Sequence, residues 1–230
     1  MNQFFKFVLD LLFPIYCVSC KKEGEWVCSN CIDKYKLNIK DVKSKKNLNE
    51  LTYIDDIFYF YDFSNEIISK LIHSLKYGYA FDVARFVACN IGDEFYEFIK
   101  KFYIENGDFI IIPVPLNKKR FNERGFNQSE IILEKILSFA KISEFSVVNL
   151  LYRVVNTKHQ VGLSADEREK NLRNAFVINN SLNIDKFIDC NIILFDDVVT
   201  TGNTFDECAK ILRNFGFKKR IIGLSIAGQR

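Results

Sequence analysis

The sequence has no long hydrophobic run, little net charge, and neither repeats nor low-complexity tracts. Each absence closes off a class of protein. Without roughly 20 consecutive apolar residues, no segment reads as a helix that crosses a bilayer. The stretch MNQFFKFVLDLLFP resembles a secretory leader, but its apolar part is short and broken by Lys6 and Asp10. It also lacks a small-residue cleavage site. Phe5, Val8, Leu9 and Leu12 fall instead on one helical stripe that Pro14 ends. A formal charge of +3 is too small to mark a nucleic-acid binder. The local basic clusters, Lys118-Lys119-Arg120 and Lys218-Lys219-Arg220, read equally well as solvated faces.

What is present is an ordinary globular mixture, 48% hydrophobic and 27% charged over 230 residues. That length suits one good-sized domain with a small appendage. A cytoplasmic location, with no membrane insertion, is the simplest expectation, and there thiols stay reduced.

Cysteine is not scarce, and it is clustered. Four of the seven lie in CVSCKKEGEWVCSNC, as Cys17 and Cys20, then Cys28 and Cys31. Two C-x-x-C pairs can bring four thiolates to the corners of a tetrahedron around zinc, with Gly24 turning the loop between them. Disulfides, a redox dithiol and plain reduced core thiols are the alternatives; a redox role does not need the second pair. Four sulfur ligands leave no open position on the metal, so the expected zinc is structural. Cys89, Cys190 and Cys208 sit in apolar surroundings and read as inert buried thiols.

Residues 1–33 therefore read as an amino-terminal helix and knuckle, 34–50 as a basic linker, and 51–230 as the main domain. YIDDIFYFYDF reads as a strand, and two helices flank Gly78, the first with the stripe Ile68, Leu71, Ile72 and Leu75. FIIIPVP, SVVNLLYR, AFVIN, NIILFDD and RIIGLSIAG read as further strands. Helices are predicted in FNQSEIILEKILSFA and FDECAKILRNFG, the latter stopped by Gly216. Continuous apolar strands interleaved with helices imply an α/β fold with a parallel sheet covered on both faces. The connection from about 153 to 173 is long, basic and poor in apolar residues. It reads as a lid, or as a short surface helix capped by Ser164, or as both.

In ILFDDVVTTGNT an apolar strand delivers Asp196 and Asp197 to the carboxyl edge of the sheet, where ligands of such sheets bind. Thr200, Thr201, Gly202, Asn203 and Thr204 then lead into a helix N-terminus, which attracts phosphate. Paired acids beside a phosphate would repel it unless they hold something else, such as ribose hydroxyls with magnesium nearby. A simple helix cap by Thr204 accounts for that residue alone.

ILFDDVVTTGNT resembles the phosphoribosyl-pyrophosphate motif of type I phosphoribosyltransferases. Together with IIPVPLNKKRFNERGFNQSEII, TKHQVGLSADEREKNLRNAFVI and the cysteine knuckle, it makes the chain similar to the ComF family of competence proteins from about residue 15 to 230. The phosphoribosyltransferase part of that family is related to amidophosphoribosyltransferases; no glutaminase module of their kind is seen in this sequence. The resemblance implies that Asp196 and Asp197 hold the ribose 2- and 3-hydroxyls and that 200–204 cradle the 5-phosphate. It implies a pyrophosphate loop from Leu116 to Arg120, with Lys118, Lys119, Arg120 and Arg124 as cations and Lys76 on the hood side. Lys158, His159, Arg168 and Arg173 belong to the implied lid. Implied cofactors are structural zinc, and magnesium with the phosphoribosyl pyrophosphate or nucleotide ligand. The implied role is in natural transformation, on the cytoplasmic side of the DNA-uptake machinery. Two readings stay open: a pentosyl transferase, or a non-catalytic, ligand-gated adaptor that binds single-stranded DNA through cations and aromatic rings. No residue has to act as a general base. His159, one of two histidines, reads most simply as solvated in its polar loop.

Overall fold

The structure, a computed structural model, describes residues 14–35, 37, 42–45, 50–76, 80–154 and 175–229. The amino-terminal stripe, Tyr77 and Gly78, and the lid residues Lys158, His159, Arg168 and Arg173 lie outside the described residues.

Short apolar runs become the centre of one sheet. In chain order its strands are β1 (Lys43–Ser44), β2 (Asp56–Asp62), β3 (Phe109–Pro113), β4 (Ser146–Val147), β7 (Asn191–Val199) and β8 (Ile221–Gly228). They lie side by side in the order β1-β2-β8-β7-β3-β4, every neighbouring pair parallel except β1 with β2. Because side chains alternate along a strand, one run serves two cores. Ile193, Phe195, Ile222 and Leu224 face one core, while Ile192, Leu194 and Ile221 face the other.

The first core is covered by α2 (Glu66–Ser74), α3 (Ala80–Asn106) and α5 (Gln128–Phe139). The predicted stripe of α2 is buried at Ile68, Leu71, Ile72 and Leu75. The rings of Phe60, Phe95 and Phe195 run in series at centroid distances of 6.2 and 6.1 Å, which ties α3 to β2 and β7. The cysteine segment joins this core: Cys17, Val27, Cys28 and Cys31 are buried in the same cluster as α2 and α3. The second core is covered by α6 (Asn203–Phe215), whose Phe205, Cys208, Ala209 and Leu212 are all buried, as their spacing predicts.

Several expectations change. SVVNLLYR is not one strand: Ser146–Val147 ends the main sheet as β4, and Leu151–Arg153 forms a separate β5. AFVIN does not enter the main sheet either. Its Phe176–Ile178 (β6) pairs antiparallel with β5, Leu151 opposite Ile178. The two strands bracket the long connection. Within the expected linker, Lys43–Ser44 form β1, which pairs with β2, and Lys43 Nζ lies 2.6 Å from Asp62 Oδ2. Cys89 is exposed and Cys190 half-buried; of the three thiols outside the cluster, only Cys208 is buried. An alternating pattern places a side chain on a helix face, but it does not say whether a neighbouring element covers that face.

Candidate ligand site at the carboxyl edge of the sheet

β7 does not stop at the acids. It continues to Val199, with Asp196 opposite Ser225 on β8. The doublet is therefore fixed by strand pairing, and alternation sends its two side chains in different directions. Asp197 is buried and Asp196 half-buried. Both are held by the first turn of α5. Ser129 Oγ donates to Asp196 Oδ1 at 2.7 Å, and Gln128 Nε2 donates to Asp197 Oδ2 at 3.4 Å. The Asp197 amide also donates to Asp196 Oδ1 at 2.9 Å. Asn127, the N-cap of α5, donates from Nδ2 to the Val114 carbonyl just past β3 and accepts from the Ser129 amide. The sequence read FNQSE only as the start of a helix. Three polar residues in a row before an apolar stripe were the available signal.

Burial, and then the negative charge of Asp197, push the Asp196 carboxyl up to about 8, against the pull of the Ser129 hydroxyl and the Asp197 amide. An unfolded aspartate titrates near ~4. A folded-state pKa above that value stabilises the fold fully below pH ~4, and the contribution is lost as pH rises through 8. The ligand-free protein is expected to melt at progressively lower temperature as pH rises from about 4 to 8, and Asp196→Asn to flatten that slope. Parallel melting profiles for the two proteins would contradict this burial-driven shift.

The phosphate-sized loop follows directly. Gly202 is the N-cap of α6 with φ +97, a conformation that disfavours any side chain. A Cβ there would also sit 2.7 Å from Leu51 Cδ1 and 2.8 Å from Ile57 Cδ1. Thr204 does not cap the helix: the N-cap is Gly202, which has no side chain to cap with, and Thr204 lies inside its first turn. Thr200 and Thr201 are exposed, and Thr201 Oγ1 accepts from the Asn203 amide at 3.3 Å. Asp206, in the same turn, is turned away from the loop. Its Oδ1 accepts from the amides of Thr52, Tyr53 and Ile54 at 3.0, 2.7 and 3.0 Å. Its charge braces the chain before β2 and is not aimed at the helix N-terminus. An uncapped, glycine-led helix start beside hydroxyls is suited to an anion.

The expected pyrophosphate loop is largely helical. Leu116 precedes α4 (Lys118–Arg124), which starts at Asn117, whose side chain accepts from the Arg120 amide, and ends at Gly125 with φ +79. Lys118, Lys119 and Arg120 thus project from one short helix. Arg124 Nη1 donates to Gln128 Oε1 at 2.9 Å. Lys76 sits just past α2, next to undescribed residues. The sequence reading placed Arg153 only as the first residue of the lid; it ends β5. It bridges to Asn117, and its guanidinium lies 5.1 Å from the Phe176 ring centroid. Its buried Nε has no hydrogen-bond partner among the described residues. Burial lowers its pKa, while nearby Asp196 works the other way.

The four cysteines are brought together as their spacing predicts, with all sulfurs within 4.8 Å of one another. Cys17 opens a turn in which Lys21 donates from its amide to the Cys17 carbonyl, and Gly24 takes φ +107. Cys28 caps α1 (Ser29–Lys34), which carries Cys31. Cys20 and Cys28 sulfurs lie 3.5 Å apart. Burial raises the Cys17 thiol, but the amides of Cys20, Cys28 and Ser19 outweigh it and draw the pKa to about 6; burial and the other sulfurs push Cys31 to about 12. Four converging thiols that cannot all ionise together fit a structural cation such as zinc.

The described residues define a class: an α/β protein with a type I phosphoribosyltransferase-like sheet and a cysteine cluster that fits a zinc knuckle. No family model matches the chain. It is 39% identical over 118 residues to Competence protein F of Haemophilus influenzae, covering 51% of this chain and 50% of that one. It is 30% identical over 149 residues to DNA utilization protein YhgH of Escherichia coli K12, covering 65% and 62%. It is also 31% identical over 108 residues to Competence protein ComFC of Bacillus subtilis, covering 47% and 40%. By these relatives the chain is similar to the ComF family of competence proteins. It spans between two fifths and two thirds of the length of these curated relatives. Among the described residues, no helix is long and apolar enough to cross a membrane.

Proposed function

We propose that this protein binds phosphoribosyl pyrophosphate with magnesium at the carboxyl edge of β7, and that it serves DNA uptake in natural transformation on the cytoplasmic side. One observation carries the reading. An acid pair, one buried and one half-buried, lies just before a glycine-led helix start: Asp197 precedes Gly202 by five residues at the end of β7. The acids take the ribose 2- and 3-hydroxyls, and residues 200–204 take the 5-phosphate through amides and hydroxyls. Lys118, Lys119 and Arg120 are grouped on α4, beyond the end of β3, and supply positive charge for the pyrophosphate, with Arg153 at the base of the long connection. The relatives' printed names, competence and DNA utilization, support the cellular role.

The corresponding reaction is displacement of pyrophosphate at the anomeric carbon. Positive charge then grows on the sugar ring and negative charge on the leaving group, which fixed cations stabilise without reorganising. Magnesium, held beside Asp196 and Asp197, would supply positive charge to the leaving group. The cysteine set would hold zinc as a structural ion.

Calorimetry is expected to show one site per chain for phosphoribosyl pyrophosphate, tighter with magnesium than without. A flat titration in both conditions rejects the ligand assignment. Pyrophosphate release with nucleobase and amine acceptors separates the two modes of use. Turnover supports a transferase, and binding without release supports the ligand-gated adaptor.

A further inference from the structure

The acid pair does not orient itself. Gln128 and Ser129 are 4% and 0% exposed, and each gives a hydrogen bond to one carboxylate. Gln128 also faces a cation. A guanidinium can only donate, so the Gln128 oxygen must point toward Arg124 and its NH2 toward Asp197. The side chain is thus a fixed bridge, Arg124 to Gln128 to Asp197, between α4 and β7. Ser129 is held in turn by Asn127, whose own amide grips the Val114 carbonyl at 3.0 Å. One helical turn therefore touches the end of β3, both acids and the terminal cation of α4.

We propose that Gln128 and Ser129 are positioning residues. Ser129 sets Asp196, and Gln128 couples the cationic side of the site, through Arg124, to the acidic side at Asp197. This rests on the ligand reading above. A buried amide spent on a carboxylate has no packing advantage over a methionine of similar size, so its value lies in the direction it enforces. When Arg124 turns toward a phosphate, Gln128 Oε1 loses its donor and the amide is freed. The two ends of the ligand are then felt together.

The test uses the full chain with magnesium and two probes, phosphoribosyl pyrophosphate and ribose 5-phosphate, titrated into wild type, Gln128→Met, Arg124→Ala and the double variant. Gln128→Met is expected to weaken binding of phosphoribosyl pyrophosphate about tenfold with an unchanged melting temperature. The double variant is expected to be no worse than the weaker single one, because both substitutions cut one bridge. With ribose 5-phosphate, which lacks the pyrophosphate, Arg124→Ala is expected to have little effect. Gln128→Glu keeps the size but sets a third carboxylate against Asp197, so it should lose more than Gln128→Met does. A merely structural Gln128 would give lower melting temperatures and additive losses, and either that pattern or unchanged affinity in Gln128→Met overturns the inference. If wild type binds neither probe, the ligand reading itself falls and the coupling falls with it. Binding by wild type together with an indifferent Gln128→Met removes the coupling alone.

Discussion

Replacing Asp196 and Asp197 together by asparagine is expected to abolish magnesium-dependent binding of phosphoribosyl pyrophosphate while leaving the fold intact. Asparagine matches aspartate in shape, and its side-chain oxygen can still accept from Ser129 Oγ, 2.7 Å from Asp196 in the wild type. What it lacks is the charge that accepts strongly from ribose hydroxyls and attracts a cation. Charged hydrogen bonds contribute about 1.5–3 kcal/mol each. Losing two should therefore weaken binding by about a hundredfold or more. Stability should move the other way. Two adjacent carboxyls, one buried and one half-buried, repel each other, and burial first and this repulsion second push the Asp196 carboxyl up to about 8. At pH 8 the double variant is thus expected to melt above wild type in the absence of ligand. A gain in stability with a loss of binding marks a site whose strain serves a ligand. A variant that binds as wild type does would remove the acids from the site.

Metal removal is expected to have the second large effect. The cysteine segment is too small to bury a core of its own, and zinc contributes roughly 10–16 kcal/mol to folding of such units. Cys17, Cys28 and Cys31 pack in the cluster that also holds α2 and α3, so loosening them exposes that face of the main domain as well. Trp26, the single tryptophan, packs against the same cluster and reports on it. Chelation, or Cys17→Ser with Cys28→Ser, should shift Trp26 emission to longer wavelength and lower the melting temperature by several degrees. Metal analysis of protein purified without chelator should find one zinc per chain. Unchanged emission on chelation, with no zinc found, would turn the cluster into a set of reduced thiols.

The elements that were legible in the sequence are those whose own composition decides their place. NIILFDD and RIIGLSIAG are dominated by apolar residues and read as central strands, and Phe205, Cys208, Ala209 and Leu212 left α6 one face to bury. Gly216 marked the end of that helix, with positive φ. The elements that were not legible depend on partners distant in sequence. β5 and β6 pair across the long connection, and neither three-residue strand carries a pattern that distinguishes a hairpin from a sheet strand. KKRFNER has no apolar stripe, and α4 rests on its caps, Asn117 and Gly125. The acids and the glycine-led loop of the proposed site could be read because their residues are contiguous. Gln128, Ser129 and Arg153 could not, because only folding brings them to the doublet, and a half-buried arginine at a strand end looks like any surface cation in sequence.

The most direct measurement is a crystal structure of the protein with magnesium and phosphoribosyl pyrophosphate. The account requires the ribose 2- and 3-hydroxyls within hydrogen-bonding distance of Asp196 and Asp197, and the 5-phosphate on the amides of 201–204. Density for the sugar elsewhere on the molecule, with the acids still bonded only to Gln128 and Ser129, would contradict it.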